Sequence, residues 1–255
     1  MEIKNIFLAF MLLLLVNAGM CYSVSENSMV PGRTLGLHYF QEKTNDVQLK
    51  DSLSIPLIEI PALKTINDMP LMICISGDGG WKEFINELCN NFAGKGIPVV
   101  GIDALEYFRN YVPPEKVASD VTKLIEIYSK KWHKSKVILL GYSFGASVIP
   151  FVANRISGNV KKSVSLVAML SPDRYADFEF HLSDWFNKSS KDALPVLPEI
   201  KEMKQIRSIL IIGEKEDDAF INDIPPGFTK IIKIPGGHHY DHNLKNVVSP
   251  ILKSY

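Results

Sequence analysis

The chain has 255 residues, 46% of them hydrophobic and 22% charged, which suits one large α/β domain or two small ones and excludes a disordered chain, a collagen or a coiled coil. Its 28 basic and 28 acidic side chains cancel to a formal net charge of zero, so there is no cationic excess to neutralise a phosphate backbone and a nucleic-acid partner is disfavoured.

Lys4 stands ahead of an unbroken apolar run of 11 residues, Ile6 to Val16, closed by Asn17 and followed by the small residues Ala18 and Gly19. This is the pattern of a secretory signal peptide, residues 1–18 with cleavage within 18–23. As a membrane anchor the run is short, since a span needs about 20 apolar residues. Cys21 lacks the small residue expected directly ahead of a lipidated cysteine, which disfavours a lipoprotein. The mature chain, from residue 24 to 255, is therefore expected to be exported as one domain. Cys74 and Cys89 would then meet an oxidising compartment. They read as two packed thiols, and a disulfide would need their α-carbons within about 7 Å.

In chain order, the polar stretch Gln41 to Ser52 reads as turns or an edge hairpin and Leu57 to Ile60 as a strand entering the sheet. From Leu71 onward short apolar runs alternate with longer amphipathic ones, as the strands and crossover helices of a parallel sheet do. The strands are Leu71 to Ile75, Pro98 to Ile102, Lys136 to Leu140, Val164 to Leu170, Ile206 to Ile212 and Thr229 to Ile234. Val117, Val121, Leu124, Ile125 and Tyr128 share one face of a helix that Pro113 and Pro114 open. Residues 171–199 are long for a connection and carry Phe178, Phe180, Trp185 and Phe186, so they read as a lid-like insertion, packed on the sheet edge or closing over a hydrophobic substrate.

Strand Lys136 to Leu140 runs into Gly141-Tyr142-Ser143-Phe144-Gly145, and Ala146 to Ile156 then reads as a helix. A serine flanked by glycines between a strand and a helix is a nucleophile elbow, because neighbouring chains approach too closely there for side chains. A serine hydroxyl needs a base and a group to orient that base. The strand ending at Ile212 is followed by Gly213 and the acidic run Glu214-Lys215-Glu216-Asp217-Asp218; after the last strand, Gly236-Gly237 precedes His238, His239, Asp241 and His242. The order serine, acid, histidine is that of α/β-hydrolases: a mostly parallel central sheet with helices on both faces. The glycine-rich loop Ser76 to Trp81 stands where such folds place one oxyanion donor. The donors are then the amides of Phe144 and Asp78, with Gly79 the alternative to Asp78. No phosphate-loop or dinucleotide motif is completed, and adjacent histidines in a turn point apart, so neither a cofactor nor a metal is expected.

These residues resemble the bacterial virulence protein family VirJ/AcvB, a secreted branch of the α/β-hydrolases. The resemblance runs through Ser76 to Trp81, Gly96 to Asp103, Gly141 to Ala146 with Pro150, Phe151, Asn154 and Arg155, Phe178-Glu179-Phe180-His181 with Trp185, and Pro235 to His239. Ser147 departs from it, standing where the family pattern has an acidic residue. The resemblance implies a periplasmic hydrolase that releases lysine from lysyl-phosphatidylglycerol at the membrane surface, with a link to type IV secretion in some members. On the family pattern Asp218 is the triad acid and Asp217 its alternative. His238 is the base, preferred to His239 because it follows the glycine pair. A cationic lysyl group would need a carboxylate, for which Glu179 is the candidate and Asp78 and Asp103 the alternatives; His181 and Trp81 complete the expected substrate contacts.

Overall fold

The structure is a computed structural model and describes residues 54–180, 192–216 and 219–255. The signal-peptide segment, the stretch Gln41 to Ser52, and Trp185 and Phe186 lie outside the described residues. In chain order the elements are β1 (Leu57–Ile60), β2 (Leu71–Ile75), α1 (Glu83–Gly94), β3 (Val99–Ile102), α2 (Ala104–Tyr107), α3 (Pro114–Lys131), β4 (Val137–Tyr142), α4 (Phe144–Arg155), α5 (Gly158–Ser163) and β5 (Val164–Leu170). There follow β6 (Tyr175–Ala176), β7 (Leu194–Pro195), α6 (Val196–Glu202), β8 (Ser208–Gly213), α7 (Ala219–Asn222), β9 (Lys230–Ile234), a 3₁₀ turn (Tyr240–His242) and α8 (Leu244–Ser254).

Seven strands form one sheet in the order β1-β3-β2-β4-β5-β8-β9, parallel throughout except β1, which runs antiparallel to β3. The central strands β2 and β4 are buried along their whole length, which is why they read as continuous apolar runs without alternation. One face of the sheet is covered by α1 and α8, through Phe84, Leu88 and Phe92 and through Val247, Val248 and Ile251. The other face carries α3, α4 and α6, with Val117, Val121 and Leu124, Val148 and Val152, and Val196 and Ile200 inside. Pro113 caps α3 and Pro114 opens it, where a missing amide proton costs nothing.

Several boundaries differ from the sequence expectation by one or two residues, and two of them have a visible cause. Strand β8 begins at Ser208 because the Ile206 amide donates to the Met203 carbonyl at 2.7 Å, closing the turn after α6. Helix α4 begins at Phe144, two residues early, because Gly145 is drawn into its first turn against β2, a packing effect that glycine's poor helix propensity conceals.

In the excursion after β5, β6 pairs antiparallel with β7. Helix α6 docks on α4, where the Asn154 amide donates to the Glu199 carboxylate at 2.6 Å and Arg155 pairs with it at 2.9 Å. Phe178 and Phe180 pack inward: Phe180 lies 4.4 Å from the Phe144 ring and Phe178 lies 5.2 Å from Phe151. These two aromatics therefore pack on α4 and on Phe108, and not on the sheet edge. Cys74 and Cys89 are both buried and free, with burial first and a hydrogen bond to Cys89 second pushing the Cys74 thiol up.

Candidate active site

The turn from β4 into α4 places Ser143 at φ 53°, ψ −117°, a left-handed conformation that side chains rarely adopt. The fold imposes it through its glycines. A Cβ on Gly141 would lie 2.2 Å from the Gly145 carbonyl oxygen, and one on Gly145 would lie 2.2 Å from that of Ile75. With both positions bare, the Ser143 amide donates to Leu170 of β5 at 2.8 Å and the Gly145 amide to Ser76 at 3.1 Å, so the elbow is tied to both neighbouring strands.

The His238 ring stands between two partners. Its Nε2 is 2.9 Å from Ser143 Oγ, and its Nδ1 is 2.7 Å from Glu216 Oε2. The other carboxylate oxygen of Glu216 accepts from the Gly213 amide at 2.8 Å and from the Ser171 hydroxyl at 2.7 Å. Ser171 Oγ in turn lies 2.7 Å from the Tyr240 hydroxyl. Burial alone would raise the Glu216 carboxyl, but the hydrogen bonds from His238, Ser171 and Gly213 outweigh it and hold the group below its ordinary range. The Glu216 hydrogen bond, opposed by burial and supported by the charges of Glu216, Asp173 and Asp78, holds His238 above its ordinary value.

Among the described residues the carboxylate on His238 Nδ1 is Glu216, whereas the acid expected from the sequence was Asp218, or Asp217. Both aspartates lie outside the described residues, and the acceptor position on Nδ1 is taken by the side chain three residues past the end of β8, where the Gly213 amide can fix it. The ring on Ser143 is that of His238, while His239, the alternative base, stacks on His242 with ring centroids 5.9 Å apart and planes 9° from parallel. Asp241 pairs with Lys215 at 3.3 Å, and among the described residues no three or more metal-ligating side chains are grouped as a metal site would need.

The amides of Phe144 and Asp78 donate to no acceptor among the described residues, whereas the Gly79 amide donates to Asp78 Oδ1 at 2.8 Å. The Gly79 amide, the alternative donor, is thus engaged within its own loop. Asp103 was expected near substrate; instead its carboxylate accepts from the Trp81 amide at 3.2 Å and the Glu106 amide at 3.3 Å, bracing the glycine-rich loop and capping α2. Trp81 packs its ring over β3, where a Cβ on Gly101 would lie 2.3 Å from it, so it too belongs to the scaffold. Glu179 is half-buried beside Phe178 and Phe180 and does not line the cleft at Ser143; His181 lies outside the described residues. Ser147, the departure from the family pattern, is buried, and its Oγ accepts from the Asp173 amide at 2.8 Å, fastening the loop after β5 to the elbow helix.

Glu216, Ser171, Tyr240 and Asp173 were not singled out from the sequence. Burial, opposed by the His238 charge and reinforced by Asp78, Glu216 and Asp177, raises the Asp173 carboxyl. The nucleophile opens into a cleft of about 430 Å³ whose walls include Asp78, Lys82, Phe84, His239 and His242.

The sheet order, the strained serine between β4 and α4, and a histidine after the last strand define the α/β-hydrolase fold. Solved structures share it. Est1E from Butyrivibrio proteoclasticus aligns over 77% of this chain and 91% of its own, at 15% identity and a TM-score of 0.56. A lipase-esterase related protein from Clostridium acetobutylicum aligns over 79% and 99%, at 14% identity and 0.56, and a Pyrococcus furiosus esterase over 80% and 92%, at 15% and 0.52. No curated protein is significantly similar in sequence. Residues 68–255 match the model of the bacterial virulence protein (VirJ) family, and the chain belongs to that family.

Proposed function

We propose that this chain is a serine hydrolase that cleaves an ester through Ser143, His238 and Glu216. The observation that carries the reading is one imidazole within hydrogen-bond reach of both a strained serine, at 2.9 Å, and a carboxylate, at 2.7 Å. As Ser143 Oγ attacks the ester carbonyl, His238 Nε2 takes its proton, while ionised Glu216 accepts a hydrogen bond from Nδ1–H and stabilises the imidazolium. The amides of Phe144 and Asp78 donate to the oxygen that becomes negative. Collapse of the tetrahedral intermediate breaks the bond to the alcohol, which leaves with the proton from His238. Water then hydrolyses the acyl-enzyme by the same route.

For the substrate, the reading is the aminoacyl ester of lysyl-phosphatidylglycerol, met at the membrane surface by a periplasmic enzyme after its signal peptide is removed within 18–23. It is supported by the family resemblance and by the carboxylate of Asp78 in the wall of the cleft, a group that suits a cationic acyl part. Release of lysine from lysyl-phosphatidylglycerol by the purified mature chain tests it. Release by the wild type and not by Ser143→Ala supports both substrate and nucleophile. With no release, labelling of Ser143 by a fluorophosphonate separates a hydrolase of other esters from a non-catalytic binding or secretion-accessory protein, in which the serine would stay unlabelled.

A further inference from the structure

The sheet has a second concave end, away from the nucleophile. Ser143 follows β4 at the C-terminal ends of the parallel strands and Lys136 enters β4 at the other, so β4, about 20 Å of extended chain, separates them. At this N-terminal end a hollow of about 780 Å³ is lined by Lys136, Lys161, Lys162 and Arg207, with Ser165 and Tyr255 among its other walls. Its lining carries no aspartate or glutamate. In a chain of zero net charge, four cations around one hollow are a local excess.

Three separate segments bring the cations together. The sheet order β4-β5-β8 sets Lys136 and Arg207 on either side of the start of β5, two strand spacings or about 10 Å apart. Their backbones are pinned: the Leu71 amide donates to the Lys136 carbonyl at 2.8 Å and the Val167 amide to the Arg207 carbonyl at 2.9 Å. Lys161 and Lys162 come from α5, which leads into β5 between them. Here β5 carries one residue more than β4. Val164 pairs with Val137 and Leu166 with Ile138, which leaves Ser165 unpaired, its hydroxyl donating to the Val137 carbonyl at 3.0 Å. An extra residue of this kind breaks the ladder locally and re-aims side chains. Lys136 and Arg207 lie outside the helices, so compensation of a helix dipole does not account for them. Arg207 Nη1 donates to the Ser254 carbonyl at 3.2 Å and Lys161 Nζ to the Asn154 carbonyl at 3.3 Å. Both acceptors are neutral, and none of the four cations forms an ion pair among the described residues.

We propose that this hollow is a second ligand site and takes a molecule carrying two neighbouring phosphate groups. Two phosphates bring about three to four negative charges at neutral pH, which four cations balance. The guanidinium of Arg207 keeps donors beyond the one on Ser254 for a forked contact with phosphate oxygens, while the three lysines act as point charges around it. The spacing of the flanking strands suits a ligand with two anionic groups, and the volume is that of a small-ligand site. Because the hollow and the cleft at Ser143 lie at opposite ends of the strands, the ligand is not the ester, and the inference does not depend on the hydrolase reading.

The test is isothermal titration of inorganic pyrophosphate into the purified mature chain at fixed ionic strength, with inorganic phosphate for comparison. The wild type is expected to bind a single pyrophosphate, more tightly than phosphate, with affinity falling about tenfold in Lys162→Ala and in Arg207→Ala and partly kept in Arg207→Lys, as loss and retention of a charge-assisted contact require. Lys95→Ala, which removes a cation from the separate groove between α1 and α8, should leave the affinity unchanged. Thermal unfolding midpoints report whether each variant folds. Should Arg207→Ala lose stability with its contact to Ser254, Lys162→Ala, which gives up no such contact, carries the test. Absence of pyrophosphate binding to the wild type, or equal affinity in Lys162→Ala and Lys95→Ala, overturns the proposal; so does binding to phosphatidylglycerol vesicles without binding to pyrophosphate, which would make the patch a membrane-facing surface. Where pyrophosphate binds, its displacement by those vesicles assigns the phosphates to a lipid head group and no displacement assigns them to a soluble molecule, and either result supports the site.

Discussion

The residues at the centre of the site hold one another in a chain that begins well outside the nucleophile. Ser171 and the Gly213 amide fix Glu216, Glu216 fixes the His238 ring, and the ring reaches Ser143. Ser143→Ala should lower kcat by roughly 10⁴-fold or more while the thermal unfolding midpoint stays close to wild type, since the change removes only the attacking oxygen. Glu216→Gln should lower kcat by about 10²–10⁴-fold, because a neutral amide can accept the hydrogen bond from Nδ1–H but carries no charge to stabilise the imidazolium. The same change at Asp217 or Asp218 should have a far smaller effect. The pH profile gives an independent check. Catalysis requires neutral His238, whose value Glu216 raises, so kcat/KM should rise with pH through a midpoint above 6.5, and Glu216→Gln should move that midpoint to lower pH. An unmoved midpoint would mean that another group governs the limb.

At the scale of elements, the elbow is a contact between three strands and a helix, and its glycines are the parts that cannot be replaced. Gly145→Ala would set a methyl group 2.2 Å from the Ile75 carbonyl, so either β2 or α4 must move. A loss of about 1–3 kcal/mol or more in denaturant unfolding is expected, together with loss of activity. Gly94→Ala, near the end of α1 with nothing within 4 Å, should instead stabilise by about 0.5–1 kcal/mol, since alanine gives up less backbone freedom in a helix. The strands were legible because each is an apolar run bounded by polar or glycine residues, and Leu71 to Ile75 and Val164 to Leu170 have the ends read from the sequence. The start of α4 was not, because the approach of Gly145 to β2 decides it and no local propensity records that approach. The excursion after β5 was half legible: its aromatics marked an inserted piece, but only the tertiary structure sets Phe180 against Phe144 and Phe178 against Phe151.

Over the whole molecule, the zero net charge leaves the local fields to individual clusters, and the pH dependence of stability should follow the Glu216–His238 pair. Glu216 is depressed, so its contribution is present above its unfolded value of 4.5 and is lost as pH falls through the folded value. His238 is raised, so its contribution is fully present below 6.5 and is lost as pH rises through the folded value. The difference in melting temperature between wild type and Glu216→Gln should therefore be largest between pH 4.5 and 6.5, which differential scanning calorimetry across pH would measure. A difference independent of pH would show that the pair does not couple to folding. Because the base must be neutral to act, the activity optimum should lie on the alkaline side of that window. The sequence by itself determined the order of the sheet-forming runs, the glycine-flanked serine between a strand and a helix, and a histidine after a glycine pair, since each of these is a local pattern with a local physical cause. It could not choose among Glu216, Asp217 and Asp218, nor assign Asp103 and Trp81 to the scaffold. Neighbouring carboxylates in a turn point in different directions, and the one that meets the histidine is selected by Gly213 at the end of β8 and by Ser171, 45 residues earlier in the chain. Only tertiary structure brings those donors to one carboxylate.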